Sequence, residues 1–420
     1  MMTLIMIVAF CVLMMLAVPV GYALIIAAGI AVLSVDYVPL SIVAQQVYDQ
    51  TQSFPMLALP FFMLAGTLML GGTLGQQLLE LASKALQRWR GGALSTTVIS
   101  SVVFGGVSGS AVANASALGS VLIPWQKRHG YPAPLCAANN ATSAVIDVLI
   151  PPSIPMILYS LVSGVSVANL FIAGILPGLL MAGSFILVCW WISVRRGYPV
   201  SKERVRKRDL ALMAGKSFPA LALPVLIILG LRFGFATPTE VAVLSVVYSL
   251  VLSVAFYRDL SFKRFCDNVV EAGVATGVVM LVIMGSAAVG WVLTFDQTPQ
   301  FVAHWVAENM ANPIVIILMM NVLMLVVGMP LDLPPAILLL GPVFVPLADV
   351  IGLDRVQLGL MMVINLGIGL YTPPIGTTLF ISSSIAKAPL GATTRELWPF
   401  FVMAMLLMLA VSYIPALTIY

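Results

Sequence analysis

A chain of 420 residues that is 61% hydrophobic and only 9% charged lies far below the roughly 25% charged residues of a soluble domain. Its apolar runs, each able to supply the ~20 residues needed to cross a bilayer, recur from Leu4 to the C-terminus, which excludes a soluble body on a single anchor. The formal charge of +4 sits mostly in loop lysines and arginines, where it orients a chain in the membrane and gives no footing for nucleic acid.

In chain order, MMTLIMIVAFCVLMMLAVPVG opens the sequence without a basic n-region or a small-residue cleavage site, so it is read as a first span and not as a removed signal peptide. Cys11, Cys136, Cys189 and Cys266 lie far apart and form no CxxC pair, which argues against a redox or metal motif. Basic clusters fall at Lys84, Arg88 and Arg90, at Lys127 and Arg128, over 195–208, at Arg258, Lys263 and Arg264, and at Lys387 and Arg395. Positive-inside bias assigns all five to the cytoplasm. The acidic segments around Asp36 and Asp49, Asp296 and Glu308, and Asp349 and Asp354 then face the other side.

Residues 91–126 have basic flanks at both ends, so they must either cross twice as two short helices or enter and return. The Gly/Ser break in FGGVSGSAVANASALGSVLIP (104–124) predicts a re-entrant helical hairpin there, followed by a proline-broken span over about 133–160. After a basic cytoplasmic linker, 196–216, the mirror case is residues 313–348, whose flanks are acidic or neutral and whose centre reads GMPLDLPP. That predicts a second hairpin entering from the opposite side, followed by a broken span over about 357–383. The fold class is an all-α polytopic membrane protein with about ten transmembrane helices, two re-entrant hairpins and both termini outside.

The hairpins echo one another. LGSVLIP (118–124) aligns with LGPVFVP (340–346) at an offset of 222 residues, and at that offset Gly106 falls on Gly328 and Pro151-Pro152 on Pro373-Pro374. AVPVGYA (17–23) resembles ATPTEVA (236–242) at an offset of 219. The expected organisation is two related halves, 1–195 and 217–420, inverted because their hairpins enter from opposite sides. Inverted repeats with broken helices are the architecture of secondary transporters, which bind substrate and ions near the midplane.

Non-helical backbone at membrane depth must be buried in protein or face water. Helix N-termini there suit anions, and freed carbonyls with Ser, Thr and Asn oxygens suit a hard cation such as Na⁺. A small-residue packing role for GGVSGSA is the plain alternative. Asn139, Asn140 and Ser143 in the first broken span, and Asn365, Thr372 and Thr377 in the second, read equally well as ligands or as inter-helix hydrogen bonders. Intramembrane carboxylates are rare and usually functional. Asp332 at the second hairpin tip is thus either linked to an ion or proton or a cap for the following helix, and Asp147 carries the same reading from a weaker signal. Glu240 has a structural explanation, a capping box with Thr237 at N-cap and Pro238 at N1. His129 and His304 lie in loop or interfacial sequence, so the GVSG at 106–109 lacks the histidine that a serine nucleophile needs. No Walker motif supports ATP coupling.

The chain resembles the large membrane subunit of a TRAP (tripartite ATP-independent periplasmic) transporter. The resemblance spans essentially all 420 residues and rests on LALPFFMLAG (57–66), FGGVSGSAVA (104–113), IPPSIPM (150–156), LFIAGILPGLL (170–180), TPTE (237–240) and NLGIGLYTPPIG (365–376). It implies a non-enzymatic, sodium-coupled, elevator-type importer in a bacterial inner membrane. It also implies a small four-helix membrane subunit and a soluble periplasmic binding protein as partners. The substrate implied is an organic acid, such as a C4-dicarboxylate, sialic acid or another sugar acid. By motif position, sodium would be held by Ser108, Gly109, Ser110 and Ser143 in the first half, and by Gly328, Asp332, Asn365, Gly367 and Thr372 in the second. Substrate would sit between the tips, near Ser108, Ser110, Asn140, Pro330 and Thr377. Two positions depart from the pattern: Asn114, where Asp commonly follows SGSAVA, and Asp147, where a small residue commonly precedes IPPS. A stand-alone ion-coupled carboxylate symporter of a related fold is the rival reading. Moving a dianion into a cell negative inside costs about 2.3 kcal/mol per charge per 100 mV, so at least two Na⁺ ions are expected, one per half.

Overall fold

The computed structural model describes residues 1–35, 37–52, 54–70, 73–86, 88–198, 200, 207–309 and 312–419. Asp36 of the first acidic segment, and Lys202, Arg204 and Arg206 of the basic linker, lie outside the described residues. Among those described, every regular element is helical.

Two short apolar helices, α1 (Met2–Met15) and α2 (Val20–Leu33), are followed by α3 (Ser41–Gln50), α4 (Ala58–Leu70) and α5 (Thr73–Leu86). The first hairpin is α6 (Gly92–Ser108) and α7 (Ala111–Arg128), packed together. The first broken span is α8 (Ala133–Ser143), one 3₁₀ turn (Ala144–Val148) and α9 (Ile154–Ser163), and the long α10 (Val167–Arg195) closes the half. The second half runs α11 (Lys207–Arg232), α12 (Pro238–Val251), α13 (Phe262–Phe295) and α14 (Thr298–Asn309). Its hairpin is α15 (Pro313–Gly328) and α16 (Leu333–Ile351), its broken span α17 (Arg355–Gly369) and α18 (Thr377–Ala386), and its last helix α19 (Leu390–Tyr413).

From α6 to α10, each helix starts 221–223 residues before its counterpart among α15 to α19. The Pro151-Pro152 and Pro373-Pro374 bonds, at matched places in the two broken spans, are both cis. The halves differ upstream. Residues 262–295 form one helix, whereas the corresponding stretch of the first half is divided between α3 and α4. Pro55 and Pro60 fall there and no proline lies in 262–295, and a proline removes a backbone donor and clashes with the preceding turn.

Six helices among the described residues are each long and apolar enough to cross a bilayer: α10, α11, α12 with its π-helical extension to Phe256, α13, α16 and α19. The remaining apolar sequence is cut into helices of 10–17 residues, because the turn before Val20 and the breaks in the two proline-containing spans interrupt it. Thr237 and Glu240 form the capping box read from TPTE: the Glu240 amide donates to Thr237 Oγ1 at 3.4 Å and the Thr237 amide to Glu240 Oε2 at 2.7 Å.

The core is built on the broken spans. In α17 every residue from Val356 to the helix end is buried, as is every residue of α8 from Leu135 onward. These central helices carry Asn139, Asn140, Gln357 and Asn365 in an apolar interior, and buried polar groups are tolerated there when hydrogen-bonded. Asn139 Nδ2 donates to the Leu94 carbonyl (3.0 Å) and Gln357 Nε2 to that of Val411 (2.9 Å). The interior polar residues thus tie hairpin leg, broken span and closing helix to one another.

Candidate functional site at the hairpin tips

The first tip turns at Gly109, whose φ of 63° is left-handed, a region open to glycine at little expense. A Cβ there would lie 2.6 Å from the Pro152 carbonyl oxygen, so the tip lies directly on the break of the neighbouring span. Ser110 then caps α7, its Oγ accepting from the Ala113 amide at 3.4 Å, while its own amide donates to Asp147 Oδ2 at 3.1 Å. Ser108, Gly109 and Asn114 surround the same carboxylate.

At the second tip α15 ends at Gly328, and Asp332 stands at the N-cap position of α16 with extended backbone. Pro334 and Pro335 occupy the first turn of α16, where no intrahelical N–H is needed. Thr377, the first residue of α18, donates through Oγ1 to Asp332 Oδ1 at 3.2 Å. Each tip is therefore bonded to a broken span by one acid, Asp147 in the first half and Asp332 in the second.

A cavity of about 630 Å³ lies between the tips. Gly109, Ser110 and Asp332 line it together with Val148, Ile154 and Leu370 from the breaks, and the opposite wall is the start of α2 and the middle of α13, including Tyr22 and Leu281. The N-termini of α7, α9 and α16 converge on this space. Helix N-termini present unpaired N–H groups and partial positive charge, so the site offers anion-binding donors beside a carboxylate without a lysine, arginine or histidine in its lining.

The site residues expected from sequence divide into two groups. Gly109, Ser110 and Asp332 line the cavity, Thr377 reaches it through Asp332, and Ser108, Gly328 and Pro330 stand beside the tips. The others lie within the packed breaks. Asn140 Nδ2 donates to the Ala115 carbonyl (2.8 Å) and to Ser382 Oγ (2.9 Å). Asn365 Nδ2 donates to the backbone and side-chain oxygens of Asn321 (2.8 and 2.9 Å), while its own Oδ1 is buried without a partner. Thr372 Oγ1 donates to the Ile368 carbonyl at 2.6 Å, Gly367 faces Val145, and Ser143 Oγ is buried without a hydrogen bond. The wall formed by Tyr22 and α13 was missed in the sequence; the glycines Gly273 and Gly277 at i, i+4 spacing were its only signal.

Two helical hairpins and two broken helices around one shared cavity, in a chain with six helices among the described residues long and apolar enough to cross a bilayer, define a polytopic membrane transporter. The chain belongs to the tripartite ATP-independent periplasmic transporter family: the model of its DctM component matches residues 7–417. It is 82% identical, over the full length of both chains, to the uncharacterized protein y4mL of Sinorhizobium fredii. The C4-dicarboxylate TRAP transporter large permease protein DctM of Pseudomonas aeruginosa is 35% identical over 90% of this chain and 88% of that one. The sialic acid TRAP transporter large permease protein SiaM of Vibrio cholerae is 32% identical over 96% and 94%. Among solved structures the YdaH transporter of Alcanivorax borkumensis shares the fold with a TM-score of 0.61, at 14% identity over 85% of this chain and 84% of that one.

Proposed function

We propose that the chain is the large permease of a sodium-driven importer, taking an organic acid from a periplasmic binding protein and carrying it across a bacterial inner membrane beside a small four-helix membrane subunit. The substrates named for its relatives, C4-dicarboxylate and sialic acid, set the class: a carboxylate or sugar acid. One observation carries the reading. Both tips, both breaks and three helix N-termini meet at a single cavity, where an anionic group gains N–H donors and Na⁺ gains hydroxyl, carbonyl and carboxylate oxygens.

The halves, 1–195 and 217–420, act as inverted repeats. The hairpins and broken spans move together as the transport body, and the remaining spans stay as scaffold. Support comes from the bonds that cross between halves: Lys127 Nζ at the end of α7 donates to the Ala386 carbonyl at the end of α18 (3.0 Å), and Asn140 donates to Ser382. In this reading Ser108, Gly109, Ser110 and Ser143 serve a first Na⁺ site. Gly328, Asp332, Asn365, Gly367 and Thr372 serve a second, and the substrate contacts Ser110 and Thr377 between them. Two Na⁺ ions only offset the electrical work of importing a dianion, so a concentrated dicarboxylate takes more than two.

The test is uptake into proteoliposomes containing the chain and its partner subunit, with binding protein and labelled C4-dicarboxylate, sialic acid or sugar acid outside. Uptake follows an inward Na⁺ gradient and needs the binding protein. Equal uptake in K⁺ would end the sodium reading, and equal uptake without the binding protein would replace the tripartite reading with a stand-alone symporter.

A further inference from the structure

The two halves bring their acids to the tips from different elements. At the offset of 222 residues Ser110, the N-cap of α7, is matched by Asp332, the N-cap of α16, and Asp147 of the first broken span is matched by Gly369 of the second. The crossing itself recurs one residue out of register, at Gly105 where the offset would give Gly106. Gly369 packs against the backbone of Gly328, and Asp147 packs against Gly105, where an added Cβ would fall 3.0 Å from Asp147 Oδ1. The first half thus places its carboxylate on the broken span and the second half places it on the tip.

Asp147 is completely buried. Its Oδ2 accepts the Ser110 amide, and its Oδ1 has no hydrogen-bond partner. Asn114, 1% exposed, stands beside the carboxylate with neither amide atom in a well-formed hydrogen bond. Among the described residues no lysine, arginine or histidine is paired with this carboxyl. There is no basic residue in α6 or α8, Lys127 is bonded to Ala386 and Arg355 to Asp349, and Arg128 and Arg195 stand at the far ends of α7 and α10. A buried carboxylate without a counter-charge is strongly unfavourable, and an unpartnered buried amide adds to that. A cation held against Asp147 Oδ1 and Asn114 Oδ1 removes both penalties.

We propose that Asp147 is the anionic ligand of the Na⁺ bound at the first hairpin tip, the counterpart of Asp332 at the second, with Asn114 supplying a neutral oxygen. This rests on the sodium-coupled reading above and assigns the charge of the first site to a residue on the broken span. Na⁺ binding there clamps the tip to the break through Ser110.

Thermal unfolding of the purified full chain in detergent tests it, with NaCl titrated against KCl at constant ionic strength, because a bound ion stabilises the folded state by mass action. Wild type is stabilised by Na⁺, and Asp147→Asn weakens the apparent Na⁺ affinity by about 10-fold or more, a change of about 1.4 kcal/mol or more. The double variant Asn114→Asp/Asp147→Asn, which carries the acid across the same contact, recovers the Na⁺ response. In wild type, mass-spectrometric mapping of dicyclohexylcarbodiimide labelling reads Asp147 without any substitution, and Na⁺ slows that labelling where K⁺ does not. A wild type indifferent to Na⁺ overturns the sodium reading together with this assignment. A Na⁺-responsive wild type overturns the assignment alone if Asp147→Asn keeps full affinity, if a folded double variant stays unresponsive, or if Na⁺ leaves Asp147 labelling unchanged.

Discussion

Gly369 and Gly328 meet backbone to backbone: a Cβ on Gly369 would lie 2.5 Å from the carbonyl carbon of Gly328 and 2.6 Å from its oxygen. Neither partner can yield as a flexible side chain would, so the contact fixes the depth at which α15 crosses the end of α17. Gly369→Ala is expected to destabilise by about 1–3 kcal/mol through overpacking, seen as a lower melting temperature in detergent. Gly183→Ala in α10, where a Cβ meets open space, should be neutral or stabilising by up to ~1 kcal/mol. Equal shifts in the two variants would mean that the crossing has more room than its geometry implies.

A second prediction concerns the buried amides. Asn365 donates twice to Asn321, which in turn accepts from and donates to Ser412 of α19. Hydrogen bonds between membrane helices typically couple by about 0.6 kcal/mol and reach about 1.7. A double-mutant cycle of Asn321→Ala and Asn365→Ala, read by unfolding midpoints, should fall near the middle of that range, because Asn321→Ala removes the side-chain bond and leaves the bond to the residue-321 carbonyl in place. Strict additivity would show that the two amides do not depend on each other.

The division into moving body and scaffold is tested by cross-linking. Val112 at the first tip and Val278 on α13 both line the cavity, so bridging Val112→Cys and Val278→Cys with a cavity-spanning bis-maleimide that carries a reducible disulfide should stop uptake, and reduction should restore it. Val162 and Gly341 touch within the proposed moving body, and a disulfide between cysteines at those places should leave uptake intact. The opposite pattern would reverse the assignment of scaffold and carrier.

The bond from Thr377 to Asp332 supplies a graded pair. Asp332→Asn removes the charge at the cavity and should abolish sodium-driven uptake while the protein still folds, whereas Thr377→Val removes one donor of about 1 kcal/mol and should reduce uptake only severalfold. Initial rates in proteoliposomes measure both. Uptake that survives Asp332→Asn and fails with Thr377→Val would make Asp332 a helix cap and shift the coupling role to the hydroxyl.

Much of the architecture was legible because the bilayer simplifies the problem. Basic flanks on both sides of 91–126 forced a return, the 222-residue echo tied that segment to 313–348, and Thr237 with Glu240 specified a cap from local chemistry alone. What could not be read was contact between elements remote in sequence. Nothing local distinguishes Asn140, bonded across the molecule to Ser382, from an asparagine facing a ligand. Asp147 and Asn114 stood out separately as unusual residues, and only folding brought them to the same tip. The α13 wall of the cavity escaped because an apolar face turned toward a cavity has the same composition as one turned toward lipid.

The exchange of acid and non-acid between matched positions bears on how such a carrier chooses its resting state. In the proposed carrier with inverted halves, inward-open and outward-open forms exchange the roles of the two halves through a two-fold rotation, and identical halves would make them equal in energy. Any preference must come from positions where the halves disagree. Under the proposed mechanism, Ser110 against Asp332 and Asp147 against Gly369 are two such disagreements, and both lie at the hairpin tips.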